Sequence, residues 1–336
     1  MLQNLPTYRW IHKLMDQYNT PIICIRLGQS THVVIVSSPS IACEFLKTHD
    51  EIFASRADTL SAYLISDGYR STIMAPLGKQ WRMMRRILNQ NILSLPVHKW
   101  LQPTRDDEAN HLLYYISNQL EKQNFLTEGG LINIRITSQQ FCGNIIRKMI
   151  FGTRYFGEGV EDGGPGDEET EHVSALFIIL KYLNAFCISD YFPWLRGKTD
   201  FDGHEKIIRT AIEGELMIAM VDNPSNALEW VMGEMMSEPS ILKRAVAELD
   251  NVVGCNRLVE ESDMPQLNYI KACIKESFRL HPIAPFNVPH VSVKNTVVAG
   301  YFIPKGSHVL LSRVGLGRVG ILMCGKIQCS LIQIDI

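Results

Sequence analysis

The sequence predicts a mainly α-helical chain with small β-sheets, an α+β arrangement. Three observations predict it. Two β-branched runs flank a glycine-bearing turn near the start, a long middle stretch repeats apolar residues at helical spacing, and period-two alternation returns after Pro282. The order is therefore a small β element, many helices, then more β. No internal repeat, linker or low-complexity tract interrupts it, and the pattern fits one large domain.

Each element follows from local chemistry. Pro21 to Ser38 reads as a hairpin whose turn is Gly28-Gln29-Ser30. Ser38-Pro39 opens a helix through SPSIACEFLKTH, with proline in its first turn. A helix follows around GKQWRMMRRILNQ. Residues 104–124 form an amphipathic helix with Leu112, Leu113, Ile116 and Leu120 as its apolar positions. Residues 133–151 form another, ending at Phe151-Gly152. EGVEDGGPGD, 158–167, is a loop. Further helices are expected at 171–188, about 211–236, 239–253 and from about 265. VSVKNTVVAGYFIPKGSHVLLS then gives short strands, with turns at Lys294-Asn295 and Pro304-Lys305-Gly306.

Apolar residues make up 46% of the 336 and the formal net charge is −2, so a sizeable core is possible. A nucleic-acid binder would need a basic excess, which is absent. The eight cysteines form no C-x-x-C, and no His pair stands at finger spacing, which argues against a structural zinc site and a secreted disulfide scaffold. No uninterrupted apolar segment reaches the ~18 residues of a membrane span, and MLQNLPTYRW has no signal-peptide pattern.

Three constellations carry chemistry. Glu276 and Arg279 in KESFRLHP lie at i and i+3 on one helix face, just before Pro282 ends the helix. Isolated, such a pair is usually a solvated contact of little energetic weight. Trp81 and Arg85, at i and i+4, can point an indole N–H and a guanidinium at one carboxylate; the plain alternative is a packed Trp beside a surface Arg. In AMVDNPSNALEW, Pro224 removes a backbone donor inside a helical pattern and predicts a kink, surrounded by Asp222, Asn223, Ser225 and Asn226. Alternatively one helix ends there and another begins with Asp222 or Ser225 as its cap.

In this order, these pieces resemble the cytochrome P-450 superfamily, the haem-thiolate monooxygenases, and within it the plant amino-acid N-hydroxylases that make aldoximes. The likeness runs from about Leu5 to Arg318. It rests on FASR, GKQWRMMRR, FCGNIIRKMIFGTR, FCISDYFPWL, GHEKI, VDNPSNALEW, AELDNVVG, ESFRLHPIAPFNVPHVS and AGYFIPKGSHVLLSRVGLGR. The resemblance implies that Trp81 and Arg85 bind one propionate of haem b and that His290 contacts the other propionate region. It implies that Glu276 and Arg279 brace the core beneath the haem, together with a downstream Arg or His. It puts the 211–236 helix over the distal face. There Asp222 is followed by Asn223 where other members carry Thr, so Asn223, Ser225 or an ordered water supplies the protons. Phe286, Asn287 and Val288 are implied to line the pocket for an amino acid. Electrons are implied to come from NADPH through cytochrome P-450 reductase, at the endoplasmic reticulum.

The chain also departs from that pattern. The haem loop of the family reads F-x-x-G-x-R-x-C-x-G, and its cysteine thiolate binds iron. Set on Cys324, the loop needs Phe at 317, Arg at 322 and Gly at 326, where the chain has Gly317, Leu322 and Lys326. Set on Cys329, it needs Phe at 322 and Arg at 327, where Leu322 and Ile327 stand. The axial cysteine is therefore read as not present. The organisation expected is a partial cytochrome P-450 domain over 1–318 with a deletion near 209–213, then an unrelated tail over 319–336. The expected membrane anchor before Leu5 is also not present, which points to a cytosolic or peripheral chain. A buried Glu276–Arg279 pair without its lower core is expected to carry uncompensated charge and to disfavour folding. Two rival readings stand beside an incomplete enzyme: a non-catalytic fragment that binds the reductase or a partner enzyme, and a metal site at Cys324 and Cys329, which offers half a site at best.

Overall fold

A computed structural model describes residues 7–28, 31–122, 131–154, 160–161, 163–183, 187–196, 198–212 and 219–317. The strands are β1 Ile22–Leu27, β2 Thr31–Val36, β3 Ser55–Arg56, β4 His290–Val291, β5 Thr296–Val298, β6 Tyr301–Ile303 and β7 His308–Leu311. The helices are α1 Thr7–Gln17, α2 Pro39–Cys43, α3 Asp50–Phe53, α4 Leu60–Ile65, α5 Lys79–Ile87, α6 Leu95–Trp100 and α7 Gln102–Lys122. They continue with α8 Ile134–Phe151, α9 Asp167–Leu183, α10 Ile188–Tyr191, α11 His204–Ile212, α12 Ala219–Ser237, α13 Pro239–Val252 and α14 Asn268–Leu280. No helix among the described residues is long and apolar enough to cross a membrane. The predicted α+β class holds. The chain divides into two compact units, one of Met1–Arg86, Leu183–Lys206 and Phe278–Ile336, the other of Ile87–Tyr182 and Ile207–Ser277.

The first unit is built on a five-stranded sheet of order β1-β2-β7-β4-β3. β1 and β2 are the predicted hairpin, with Leu27 opposite Thr31. β2 pairs in parallel with β7, Val33 opposite His308 and Val36 opposite Leu311. The near-unbroken apolar run of β2 has a simple cause: both faces of the strand are buried. Val34 and Val36 face a core with Phe45, Phe53, Val309 and Leu311. Val33 and Ile35 face the opposite core with Ile11, Met15 and Leu310. Gly28 has φ +61°, and a Cβ there would stand 2.2 Å from the Tyr191 carbonyl oxygen, so the hairpin turn needs glycine twice over.

Residues 58–69 and 187–204 are knitted into this unit by polar contacts over long sequence separations. The Leu60 N–H donates to Asp190 at 2.6 Å. Arg196 donates to Asp58 at 3.0 Å, and Ser61 Oγ meets His204 Nε2 at 2.6 Å. Burial pushes the Asp190 carboxyl up to about 6.

The second unit packs α8 against α12 and α7. Asn133 caps the start of α8 by accepting from the Ile136 N–H, and Gly152 ends it in the left-handed conformation, as Phe151-Gly152 predicted. A smaller core joins Val231, Met235, Ala245 and Tyr269. The Glu248 carboxylate accepts from the Tyr269 and Ile270 N–H groups at the start of α14. FCGNIIRKMIFGTR supplies the cations of a buried network. Arg147 pairs with Glu169, each 1% exposed. Lys148 and Arg154 both reach Glu108, which is also 1% exposed.

Several boundaries differ from expectation. Pro304-Lys305-Gly306 forms the predicted turn, the Ser307 N–H donating to the Pro304 carbonyl at 3.2 Å, whereas the tight turn between β5 and β6 is Ala299-Gly300, which was not predicted. Both residues have positive φ (47° and 82°), which matches the twist of paired strands, and Glu44 accepts the Ala299 N–H. Lys294-Asn295 leads into β5, and Pro304-Lys305-Gly306 joins β6 to β7. α9 begins at Asp167, where three acids favour a helix N-terminus, and ends at Leu183. The helix expected over 211–236 is α11 and α12, with 213–218 outside the described residues. α12 runs through Pro224 without ending, so a cap at Asp222 or Ser225 is not formed. On α7, Leu113 is 42% exposed, being turned off the face that Leu112, Ile116 and Leu120 share.

Two measurements follow. Arg147→Met leaves Glu169 buried without its cation and should cost roughly 3–5 kcal/mol, read as a fall in the urea midpoint; an unchanged midpoint would mean the pair is solvated. Asp190 binds its proton more tightly folded than unfolded, so it favours folding below pH ~4 and loses that contribution as pH rises through about 6. Asp190→Asn should therefore exceed the parent in stability at pH 7.5, and the gap should close on acidification to pH ~4.

Candidate functional site

The corner where β3 meets β4 gathers charge. Arg56 stands opposite His290 in the antiparallel pairing. His290 Nδ1 lies 2.6 Å from the Phe53 carbonyl oxygen. A carbonyl only accepts, so the imidazole carries a proton on Nδ1. Burial pushes the His290 pKa down, and neighbouring Arg56 adds to this. Arg56 donates through Nε to the Ile73 carbonyl at 3.0 Å. Burial lowers its pKa as well. Its Nη1 is buried and has no hydrogen-bond partner among the described residues. A half-buried guanidinium with an unused donor, beside a histidine, is an arrangement that an anion completes.

Trp81 and Arg85 lie on α5, as the i, i+4 spacing requires. The Arg85 guanidinium sits 6.0 Å from the centre of the Trp81 ring. Trp81 is half-buried, while Arg82, Arg85 and Arg86 are exposed, so this helix presents a basic face. Of the predicted residues Trp81 comes together with Arg85, while His290 is paired with Arg56, which was not predicted. Sequence reasoning quoted FASR but assigned Arg56 no role. Its sequence signal was its place in FASR.

The residues expected to line a pocket are drawn into the sheet. Phe286 packs on the core of Ile11, Met15 and Ile35. It also stacks on His12 at 6.1 Å. Asn287 accepts the Leu311 N–H at 2.6 Å through Oδ1, while its buried Nδ2 has no partner among the described residues. Val288 is half-buried. Asp222, Asn223 and Ser225 lie in the first turns of α12. Ser225 is 2% exposed; the side chains of Asp222 and Asn223 are outside the described residues.

Glu276 and Arg279 occupy the last turns of α14, which ends at Leu280 before Pro282 as predicted. Both are half-buried, and each has polar or electrostatic partners. Arg279 donates to the Gly317 carbonyl at 3.3 Å. The expectation of a buried pair with uncompensated charge is therefore corrected: neither residue is fully buried and neither lacks a partner. Cys324, Cys329 and all of 319–336 lie outside the described residues.

The fold recurs in known proteins. Two solved structures of a zebra fish cytochrome P450, one with progesterone and one with abiraterone, share the fold. Their TM-scores are 0.66 and 0.68, at 18% and 21% identity, covering 94% of this chain and 80% of theirs. Valine N-monooxygenase 1 of Manihot esculenta is 46% identical over 369 residues, covering 94% of this chain and 67% of its own length. Phenylalanine N-monooxygenase of Arabidopsis thaliana is 45% identical over 368 residues, covering 94% of this chain and 69% of its own. Tyrosine N-monooxygenase of Sorghum bicolor is 43% identical over 369 residues, covering 94% and 65%. The family pattern described as Cytochrome P450 matches residues 3–213 and 204–318. On this breadth of agreement the chain belongs to the cytochrome P450 family, and by family it is a monooxygenase, an oxidoreductase.

Proposed function

We propose that the reaction behind this chain is the N-hydroxylation of an amino acid on the way to an aldoxime. What carries the reading is that relatives named for valine, phenylalanine and tyrosine all match along almost the whole chain at nearly equal identity. The substrate class is then the α-amino acid itself. The Nδ2 donor of Asn287 is suited to its carboxylate.

Haem, when bound through a thiolate, supplies the oxygen chemistry of the family. The propionate side of that group fits the residues present. Arg56 offers a buried unused donor and His290 stands opposite it, while Trp81 and Arg85 offer an indole N–H and a guanidinium. The iron side does not fit: residues 1–336 contain no F-x-x-G-x-R-x-C-x-G loop. These residues would therefore hold haem by its carboxylates, without the thiolate that drives oxygen activation. The family resemblance gives proton delivery to the polar residues Asp222, Asn223 and Ser225 of α12, of which Ser225 is buried. Electrons come from NADPH through the reductase. A deletion near 209–213 accounts for a family match in two pieces that meet at 204–213, and for aligned stretches longer than the 336-residue chain.

A second reading rests on the exposed Arg82, Arg85 and Arg86 of α5. On this reading the chain is a non-catalytic binder of the reductase, with the basic face of α5 as its contact. Recovery of reductase by the haem-free chain would favour it.

The deciding experiment adds haem to the purified chain, reduces it and admits carbon monoxide. The expected Soret band is that of a neutral ligand or of free haem. A red-shifted thiolate band would assign iron to Cys324 or Cys329 and overturn the reading. In the same titration Arg56→Met should weaken haem binding by about 10–100-fold, the equivalent of one hydrogen bond to a charged group. Unchanged affinity would remove Arg56 from the propionate site.

A further inference from the structure

Cys187, Asp202 and His204 converge in the first unit, their ligand atoms all within 4.8 Å of one another. Cys187 is 1% exposed and His204 3%, whereas Asp202 is exposed. The three come from two places: Cys187 immediately precedes α10, and Asp202 and His204 open α11. We propose that they form a binding site for a single divalent transition-metal ion of the zinc type.

The donor set is the first argument. A thiol, an imidazole and a carboxylate are the three side-chain donors that zinc takes. A tetrahedral zinc at ordinary bond lengths separates such donors by about 3.4–3.6 Å. The triangle therefore needs to contract by at most about 1.4 Å, a side-chain adjustment. Support of the ligands is the second argument. His204 Nε2 meets Ser61 Oγ at 2.6 Å, and Ser61 is fully buried. Cys187 Sγ lies 3.0 Å from Ser189 Oγ. Each buried ligand is thus oriented by a hydroxyl, as metal-bound histidines commonly are by a hydrogen-bond partner.

Access is the third argument. A recess lined by Leu60, Ile188, Ser189, Asp202 and Glu205 opens on the Asp202 side of the cluster, so an ion would enter past Asp202. Among the described residues the Asp202 carboxylate carries no ion pair; it accepts backbone N–H groups, from Ile188 at 3.0 Å and from His204 at 3.4 Å. Another group of potential ligands, Asp107, Glu108 and His111, differs in this respect. Lys148 and Arg154 already sit on its carboxylates, so the protein supplies its own cations.

The test is a Co²⁺ titration of the metal-free 336-residue chain, followed by Zn²⁺ competition. The expected result is one equivalent bound with a thiolate charge-transfer band, abolished by Zn²⁺ and by Cys187→Ala. Asp202→Asn changes an exposed side chain, and Ser61→Ala removes only a hydroxyl, so both variants test the site in a folded chain. Each should weaken Co²⁺ binding by at least about 10-fold. Circular dichroism checks that the fold is kept. A band that survives Cys187→Ala, or midpoints unmoved in both other variants, would assign the ion to another cysteine and overturn the proposal. So would the absence of a one-equivalent band in the parent chain.

Discussion

The parallel pairing of β2 with β7 is the constraint on which the first unit depends. It joins residues 33–36 to residues 308–311, so the hairpin from the start of the chain shares a sheet with the strands near its end. Parallel neighbours need a long crossover, and here almost the whole helical content of the chain is that crossover. The pairing also fixes the functional corner. β7 holds β4 in register, Val309 opposite His290, and β4 in turn holds β3, which puts Arg56 opposite His290. The two cores on either face of β2 and β7 prevent a slip, because a one-residue shift would exchange their side chains.

Buried charge is treated in two ways, and the contrast separates structure from function. In the second unit Glu108, Arg147 and Glu169 are as buried as any leucine, and each meets opposite charge from the protein itself. Such a network fixes which helices adjoin, and it has little to offer a ligand. At the β3–β4 corner the guanidinium of Arg56 meets only a carbonyl among the described residues, and burial pushes the pKa of the neighbouring His290 down. Keeping a cation there without an acid costs free energy that the fold alone does not recover. The cost is reasonable if an anionic group binds.

Much of the fold was legible in the sequence because its signals are local. Gly28 in the hairpin turn, Asn133 and Gly152 at the two ends of α8, and Pro282 after α14 each act within a few residues of the element they bound. The hairpin turn at Ala299-Gly300 was missed because alanine rarely takes positive φ, and the Glu44 contact that supports it lies 255 residues away. Distance in sequence also hid most of the site. The i, i+4 spacing of Trp81 and Arg85 shows on the page, whereas Arg56 and His290 meet only through the sheet. Ser61, Cys187 and His204 meet through contacts that no spacing rule reaches. Period alone could not decide whether Pro224 ends a helix, and packing of α12 against α8 carries the helix through it.

Arg279 and Gly317 show how far a single charged pair extends its demands. Reading KESFRLHP alone, one expects a brace and asks what it holds. Within the described residues the answer is backbone: the guanidinium donates to the Gly317 carbonyl, and a Cβ at 317 would stand 2.8 Å from the Arg279 carbonyl oxygen. Two steps earlier, a Cβ at Gly315 would lie 2.5 Å from the Ser37 side chain. The turn at 313–317 is therefore pressed between the end of β2 and the end of α14, and only glycine fits at both points. VGLG is thus a packing requirement set by partners nearly 280 and 40 residues earlier. It continues the same constraint that pairs β2 with β7, so the brace and the sheet are parts of one closure.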